Sequence, residues 1–375
     1  MFIVRSPVRI SFAGGGTDLP AYYQQFGGVV LSAAINKYFY TILGKRTDGR
    51  IQIISSDLRI FENWSDIAAM EVKGSGLEIP LATLKDLGLR ISVDLFLASE
   101  IPPGTGLGSS ASVCVNILKT LTSYFQIPIS KYELAERAFQ IARTTLGRHV
   151  GKQDEYAAAF GGLNFITFDR NGSVQIESLD LDPQVMSQLQ ANLRLFFTGS
   201  SHHSWSILEE QEQFTRKSAG ATIGALHEVH SLAERMREAL LKGDLPRFGA
   251  LLDEAWHAKK KFSSKISNAR IDQLYALARQ HGALGGKITG AGGGGFLLVY
   301  CEPACQEAVR NAMAAEGIHE MTVSFDFQGA QVIVNDPFID GDEQGGSRWT
   351  FVPVGPSEVI PVNSFKPHQQ LTRSK

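Results

Sequence analysis

Cysteine is scarce. The three in 375 residues, Cys114, Cys301 and Cys305, are too few for a disulfide framework and lack the CxxC spacing of a metal site. Cys301 and Cys305 stand four apart with no His or Cys companion nearby, so they read as reduced structural thiols of a cytoplasmic protein. No apolar run approaches the roughly 18 residues of a membrane-spanning helix. The opening MFIVRSPVRI carries Arg5 and Arg9 and no secretory apolar stretch. Excess charge is missing too: 36 Lys and Arg face 38 Asp and Glu, a net charge of −2. That argues against a nucleic-acid partner held by bulk electrostatics. Neither the GxxxxGK[ST] loop nor a dinucleotide GxGxxG accounts for the glycines.

What is present is apolar material and clustered glycine. The chain is 43% hydrophobic, enough for a substantial core, and its length suggests two domains or one large one. Of the 37 glycines, 13 fall in three clusters: Gly14 to Gly16; Gly104, Gly106 and Gly108; and Gly285, Gly286, Gly290 and Gly292 to Gly295. Each cluster sits between apolar segments, which points to backbone that bends sharply or approaches a ligand closely.

Residues 1–60 read as β-rich: IVRSPVRISFA, VVLSAAI, YFYTILG and IQII, separated by turn signals. A strand at 91–98 leads through IPPGTGLG into a helix from Ser109, and a second helix over 131–146 opens with the Ser130/Glu133 capping box. A short helix near 153–160 ends at Gly161-Gly162, and strands follow at 163–168 and 193–198. From about 204 to 281 the pattern is helical, with Asn268 as an N-cap. Strand FLLVY, a helix over 304–315 and strands near 321–327 and 330–334 close the second half. The tail from 336, with Pro353, Pro356, Pro361 and Pro367 among its residues, reads as irregular.

IPPGTGLGSSAS, residues 101–112, joins a strand to a helix. Free N–H groups at a helix N-terminus, behind glycine backbone, form a concave donor nest for phosphate. Ser109 and Ser110 add hydroxyls for phosphate or a phosphate-bound Mg²⁺. Taken alone, the string is equally a helix cap after a tight loop.

PPGTGLGSSAS resembles the central motif of the GHMP kinases (galactokinase, homoserine kinase, mevalonate kinase and phosphomevalonate kinase). SPVRISFAGGGTDLP at 6–20 resembles the first family motif and GGKITGAGGGGFLLV at 285–299 the third. The ordered trio spans residues 6–299, about four-fifths of the chain. RISFAGGGTDLP, VGKQDEYAAAFGGLN, SSKISNARIDQLY and GGKITGAGGGGF are most similar to the members that phosphorylate D-glycero-D-manno-heptose 7-phosphate at its anomeric oxygen.

The resemblance implies an α+β, two-lobed GHMP kinase fold. A lobe like domain 2 of ribosomal protein S5 would span 1–190, and a ferredoxin-like lobe with added helices 191–335, followed by an irregular extension at 336–375. It implies an ATP-dependent sugar or sugar-phosphate kinase, with ATP and Mg²⁺ as cofactors and a small-molecule acceptor. No membrane partner is implied, and the chain would be a monomer or homodimer. Other sugar-1-kinases, of fucose, galactose or mannose type, stay open, as does a weakly active sensor on the same fold.

Pro103, Gly104, Thr105, Gly106, Leu107, Gly108, Ser109, Ser110 and Ala111 would wrap the ATP phosphates, and Ser109 or Ser110 would reach the metal. Asp154, otherwise a first-turn helix acid, would orient or accept the proton of the attacking hydroxyl. Arg9 would stabilise the transferring charge, and Asp18 would bind sugar hydroxyls. For these two, a structural ion pair and a turn aspartate are the plainer alternatives. Gly15, Gly16 and Thr17 accompany Asp18 on the substrate side. Lys152 could hold a substrate phosphate or be a solvated lysine. Gly290 to Gly295, Gly292 and Gly293 among them, could bring backbone close to the phosphates or to the first motif, or simply turn the chain into the next strand. Lys259 to Lys261 read as a solvated helix face, with a substrate-phosphate contact as the sharper alternative.

Two departures from the family pattern stand out. The metal-binding Glu expected before the catalytic segment is replaced by Ala142, and no acidic residue lies between Glu136 and Asp154. His202 and His203 stand where related heptose kinases carry a Ser/Arg-rich string.

Overall fold

A computed structural model describes residues 1–89, 91–199, 204–216 and 220–336. His202, His203 and the extension beyond Asp336 lie outside the described residues.

The long β1 (Phe2–Ala13) ends in the first glycine cluster. Pro20 starts α1 (Pro20–Phe26), where its missing N–H costs nothing. β2 (Gly28–Lys45) is one 18-residue strand, not two. Its pairing with β1 skips between Ile35 and Tyr38, where Asn36 turns to bond Ser324 instead. That local break is what makes the sequence read as two strands. β3 (Ile51–Ser55), β4 (Ile60–Trp64), α2 (Glu78–Leu87) and β5 (Val93–Ser99) follow. α2 has no counterpart among the elements read from the sequence; its Pro80 sits in the first turn, where proline is tolerated.

Next come α3 (Ser109–Tyr124) and α4 (Lys131–Gln140). The Ser130/Glu133 capping box of α4 is formed as expected. Its end is not the expected straight run to 146 but a π-helical turn, Ile141–Thr145, a distortion found mostly at functional sites. α5 (Gln153–Phe160), β6 (Leu163–Phe168), β7 (Val174–Ser178), α6 (Pro183–Asn192) and β8 (Leu193–Phe197) lead to the helical region. That region contains α7 (Ser204–Arg216), α8 (Gly220–Leu241), α9 (Leu245–Lys260) and α10 (Ala269–Gln280), the last capped by Asn268. β9 (Gly285–Ile288), β10 (Phe296–Tyr300), α11 (Pro303–Ala315), β11 (Glu320–Met321) and β12 (Gln331–Asn335) complete the order.

The fold is α+β, with two sheets. The larger has eight strands in the order β12-β1-β2-β5-β3-β4, with β6 on the first half of β2 and β7 beyond it. All its pairings are antiparallel except β3 with β5. The smaller, β11-β8-β10-β9, is antiparallel. β12 belongs to the larger sheet, paired with β1, so the chain returns to the first lobe before 335 instead of ending in the second. Three helices, α3, α4 and α5, pack together against the first sheet. A single apolar core joins the lobes: Phe12 of β1 meets Phe248 of α9 edge-on, ring centroids 5.3 Å apart. The first motif, the α3 loop and the turn after β9 therefore converge at one seam.

Candidate active site

The seam contains a cavity of about 690 Å³, a volume suited to a small-molecule ligand. Its floor is the loop before α3. Gly104, Gly106 and Gly108 adopt φ of 75°, 79° and 80°, a region that favours glycine. Gly108 caps α3 without a side-chain hydrogen bond, which leaves the first N–H groups of the helix open. Pro103 to Gly106 and Gly108 to Ala111 line the cavity. Leu107 does not; it is buried below, and its carbonyl accepts from Arg9 N at 2.9 Å. The Ser109 hydroxyl is buried with no hydrogen-bond partner.

Asp154, in the first turn of α5, faces this nest. A Cβ at Gly108 would lie 3.3 Å from its Oδ2. Arg9, buried on β1, donates from Nε to Asp154 Oδ1 at 2.7 Å and from Nη1 to the Gly106 carbonyl at 2.6 Å. One guanidinium thus ties the acid to the loop. Asp18 sits behind: Oδ1 accepts from Gly16 N at 2.8 Å, and Oδ2 accepts from Gln153 N at 3.2 Å and Gln153 Nε2 at 3.1 Å. Burial raises its carboxyl above the usual range against the pull of those donors, and the Asp154 charge adds to the rise. A Cβ at Gly151 would fall 2.0 Å from Asp18 Oδ2, so only glycine lets the α5 entry close over this acid. Asp18 also lines the cavity, with Gly15 and Gly16.

Lys259 and Glu155 complete the charge pattern. Lys259 of α9, for which the sequence leaves a substrate-phosphate contact open beside a solvated face, is buried, lines the cavity and donates to the Gly290 carbonyl. Burial, then the Arg9 charge, pulls its ammonium down to about 8. Its neighbours Lys260 and Lys261 do lie at the surface, paired with Asp272 and Glu228. Glu155 was not singled out because an acid in a first helical turn is unremarkable in sequence. It is 2% exposed, it lines the cavity, and its Oε2 has no partner. Burial, then the charge of Asp154, pushes its carboxyl well above the usual range.

Other expected site residues lie elsewhere. Lys152 is not a phosphate holder: its ammonium is buried beneath α4, 2.8 Å from Glu136 Oε2 and 2.8 Å from the Gly172 carbonyl, outside the cavity lining. Glu136 is therefore occupied, with Tyr156 as a second donor. Thr17 is structural. Its hydroxyl lies 2.8 Å from both the Gly14 and Val29 carbonyls and accepts from Val29 N. Gly292 and Gly293 pack on the segment after α9, Gly293 N donating to the Ile266 carbonyl at 2.8 Å. It is Gly290 that meets the α3 loop: a Cβ there would lie 2.5 Å from Gly106 Cα.

A phosphate nest at a helix N-terminus, an acid aimed into it and buried cations beside it describe a phosphotransferase. The family model "GHMP kinases N terminal domain" matches residues 78–162, and "GHMP kinases C terminal" matches 236–319. The chain is 31% identical over 334 residues to the D-glycero-alpha-D-manno-heptose 7-phosphate kinase of Campylobacter jejuni, covering 87% of this chain and 97% of that protein. A crystal structure of a D-glycero-D-manno-heptose 1-phosphate kinase from Bacteroides thetaiotaomicron superposes with a TM-score of 0.74 at 30% identity, covering 88% and 98% of the two chains. Lactococcus lactis galactokinase shares the fold at a TM-score of 0.70 and 20% identity, covering 88% and 94%. The chain belongs to the GHMP kinase family. It is an ATP-dependent sugar kinase.

Proposed function

We propose that this kinase phosphorylates the anomeric hydroxyl of D-glycero-D-manno-heptose 7-phosphate, giving the 1,7-bisphosphate for nucleotide-activated heptose and surface glycans in the cytoplasm. The observation that carries the reading is the ion pair of Arg9 and Asp154 at the mouth of the glycine nest, in a chain similar along most of its length to a kinase of that name.

The residues present fit ATP and Mg²⁺. The nest has no Cβ at 104, 106 and 108, the N-terminus of α3 is open, and the Ser109 hydroxyl is unpartnered. The loop 103–111 would hold the phosphates, and Ser109 and Ser110 the metal. ATP with Mg²⁺ supplies the phosphoryl group and neutralises charge on the leaving oxygens. Asp154 accepts the proton of the anomeric hydroxyl as that oxygen bonds to phosphorus and the bond to the ADP oxygen breaks. Arg9 holds the acid in position, and its Nη1 fixes the loop at Gly106. Lys259 adds a second positive charge from the opposite lobe, where charge on the transferring group builds up. Asp18, held by Gly16 and Gln153, presents its carboxyl to the sugar hydroxyls. Gly15 and Gly16 leave room beside it.

The test is Mg²⁺-dependent ADP release with ATP against D-glycero-D-manno-heptose 7-phosphate, free hexoses, fucose and mevalonate. The expected result is strong turnover with the heptose phosphate alone. Turnover with a free sugar instead would discard the acceptor and keep the mechanism. No turnover with any of them would overturn the reading.

A further inference from the structure

Four acidic side chains line the cavity among the described residues: Asp18, Glu78, Asp154 and Glu155. Three are engaged. Asp18 accepts three hydrogen bonds, Glu78 pairs with Arg148 at 2.8 Å, and Asp154 pairs with Arg9. Glu155 is the exception, because its Oε2 is buried without a donor or counter-ion. A buried carboxylate without a donor is costly when charged, and a cation beside it would offset that cost. The same cavity is lined by Ser110 and Cys114 of α3, one turn apart, and by Ala142 of the π-helical turn. At the head of α3, Ser109 Oγ is a second buried oxygen without a partner. Two orphaned oxygens on the wall of one cavity, one of them at an open helix N-terminus, match a hard divalent cation. Such an ion takes one or two protein oxygens and completes its shell with phosphate and water.

We propose that Glu155 is the carboxylate through which this chain holds the divalent cation of its nucleotide, taking the place that Ala142 leaves open on the facing turn. The proposal rests on the ATP-site reading above. It assigns the metal to α5, next to the catalytic acid, instead of to the helix before it. Asp154 and Glu155 then divide two tasks between adjacent residues: Asp154 faces Gly108 and the acceptor, and Glu155 faces α3 and the cation.

The test uses Mn²⁺ as the probe, read by the electron paramagnetic resonance of the free ion, with β,γ-imido-ATP and the full chain. Wild type is expected to form the ternary complex. Glu155→Gln is expected to weaken Mn²⁺ at least about tenfold, while metal-free nucleotide affinity and the thermal midpoint hold. Moving the carboxylate across the gap, in Ala142→Glu/Glu155→Gln, is expected to restore Mn²⁺ affinity. If Glu155→Gln does not fold, Glu155→Asp, which withdraws the carboxylate by one methylene, is expected to show the same loss. Unchanged Mn²⁺ affinity in the folded Gln or Asp variant would overturn the proposal, as would failure of the double variant to regain it. A wild type that takes up no Mn²⁺ with nucleotide would instead overturn the ATP-site reading.

Discussion

Asp154 and Lys259 reach the same cavity from opposite lobes, and each makes a distinct prediction. Asp154→Asn removes the proton acceptor while leaving an oxygen for Arg9, so turnover should fall about 10²–10⁴-fold with the thermal midpoint nearly unchanged. A rate within a few fold of wild type would refute the role. Lys259, with its ammonium drawn down to about 8, is charged below that pH and loses its proton as pH rises through it. If that charge serves the transfer, kcat/KM should decline on an alkaline limb near pH 8. Lys259→Arg, which keeps its charge, should move the limb upward, and an unmoved limb would assign it to another group. The sequence singles out the acid but leaves the lysine between a solvated face and a phosphate contact, for a physical reason. Asp154 lies inside a recognisable string, whereas Lys259 is the first of three consecutive lysines, and only the packing of α9 against β9 and β1 buries one of them.

Among the elements, the contact between the α3 loop and the turn after β9 is made by backbone. Gly290 has φ of 66°, and a Cβ there would lie 2.5 Å from Gly106 Cα. Gly290→Ala should therefore destabilise by about 1–3 kcal/mol and weaken nucleotide binding more than acceptor binding, as denaturant titration and calorimetry would show. The other rim of the cleft is tied by Glu212 of α7. It meets Arg143 of the π-helical turn at 2.6 Å, His149 at 2.7 Å and Arg216 at 2.7 Å. Burial pushes its carboxyl up, but the three donors together outweigh that and bring it to about 2 from an ordinary 4.5. A depressed folded-state value stabilises above the unfolded one and is lost in acid. Glu212→Gln should thus lower the thermal midpoint at neutral pH. The gap to wild type should close as pH falls from about 4.5 to about 2; a constant gap would mean the ion pairs contribute nothing. None of this rim was legible in the sequence, since Glu212 lies 69 residues from Arg143.

At the scale of the molecule, the lobes share one core. Phe12 packs on Phe248, Lys287 of β9 donates to the Phe12 carbonyl at 3.1 Å, and β12 returns to pair with β1. Heating should give a single calorimetric transition, and residues 1–190 expressed alone should be insoluble, having lost β12 and the partners of β1. Two resolved transitions would contradict this. No helix of the described residues is long and apolar enough to cross a membrane.

Most elements and the glycine nest are legible from local spacing, a loop, a capping residue or an apolar period, while the family and the α+β class come from the resemblance of three motifs. Which charges face the cavity is set by tertiary contacts alone. Lys152, two residues from the catalytic acid, is drawn beneath α4 by Glu136, while Lys259, 105 positions further on than Asp154, enters the site. The identity of a charged side chain says what it can do. Its burial and its partners, set by contacts between distant segments, decide whether it is free to do it.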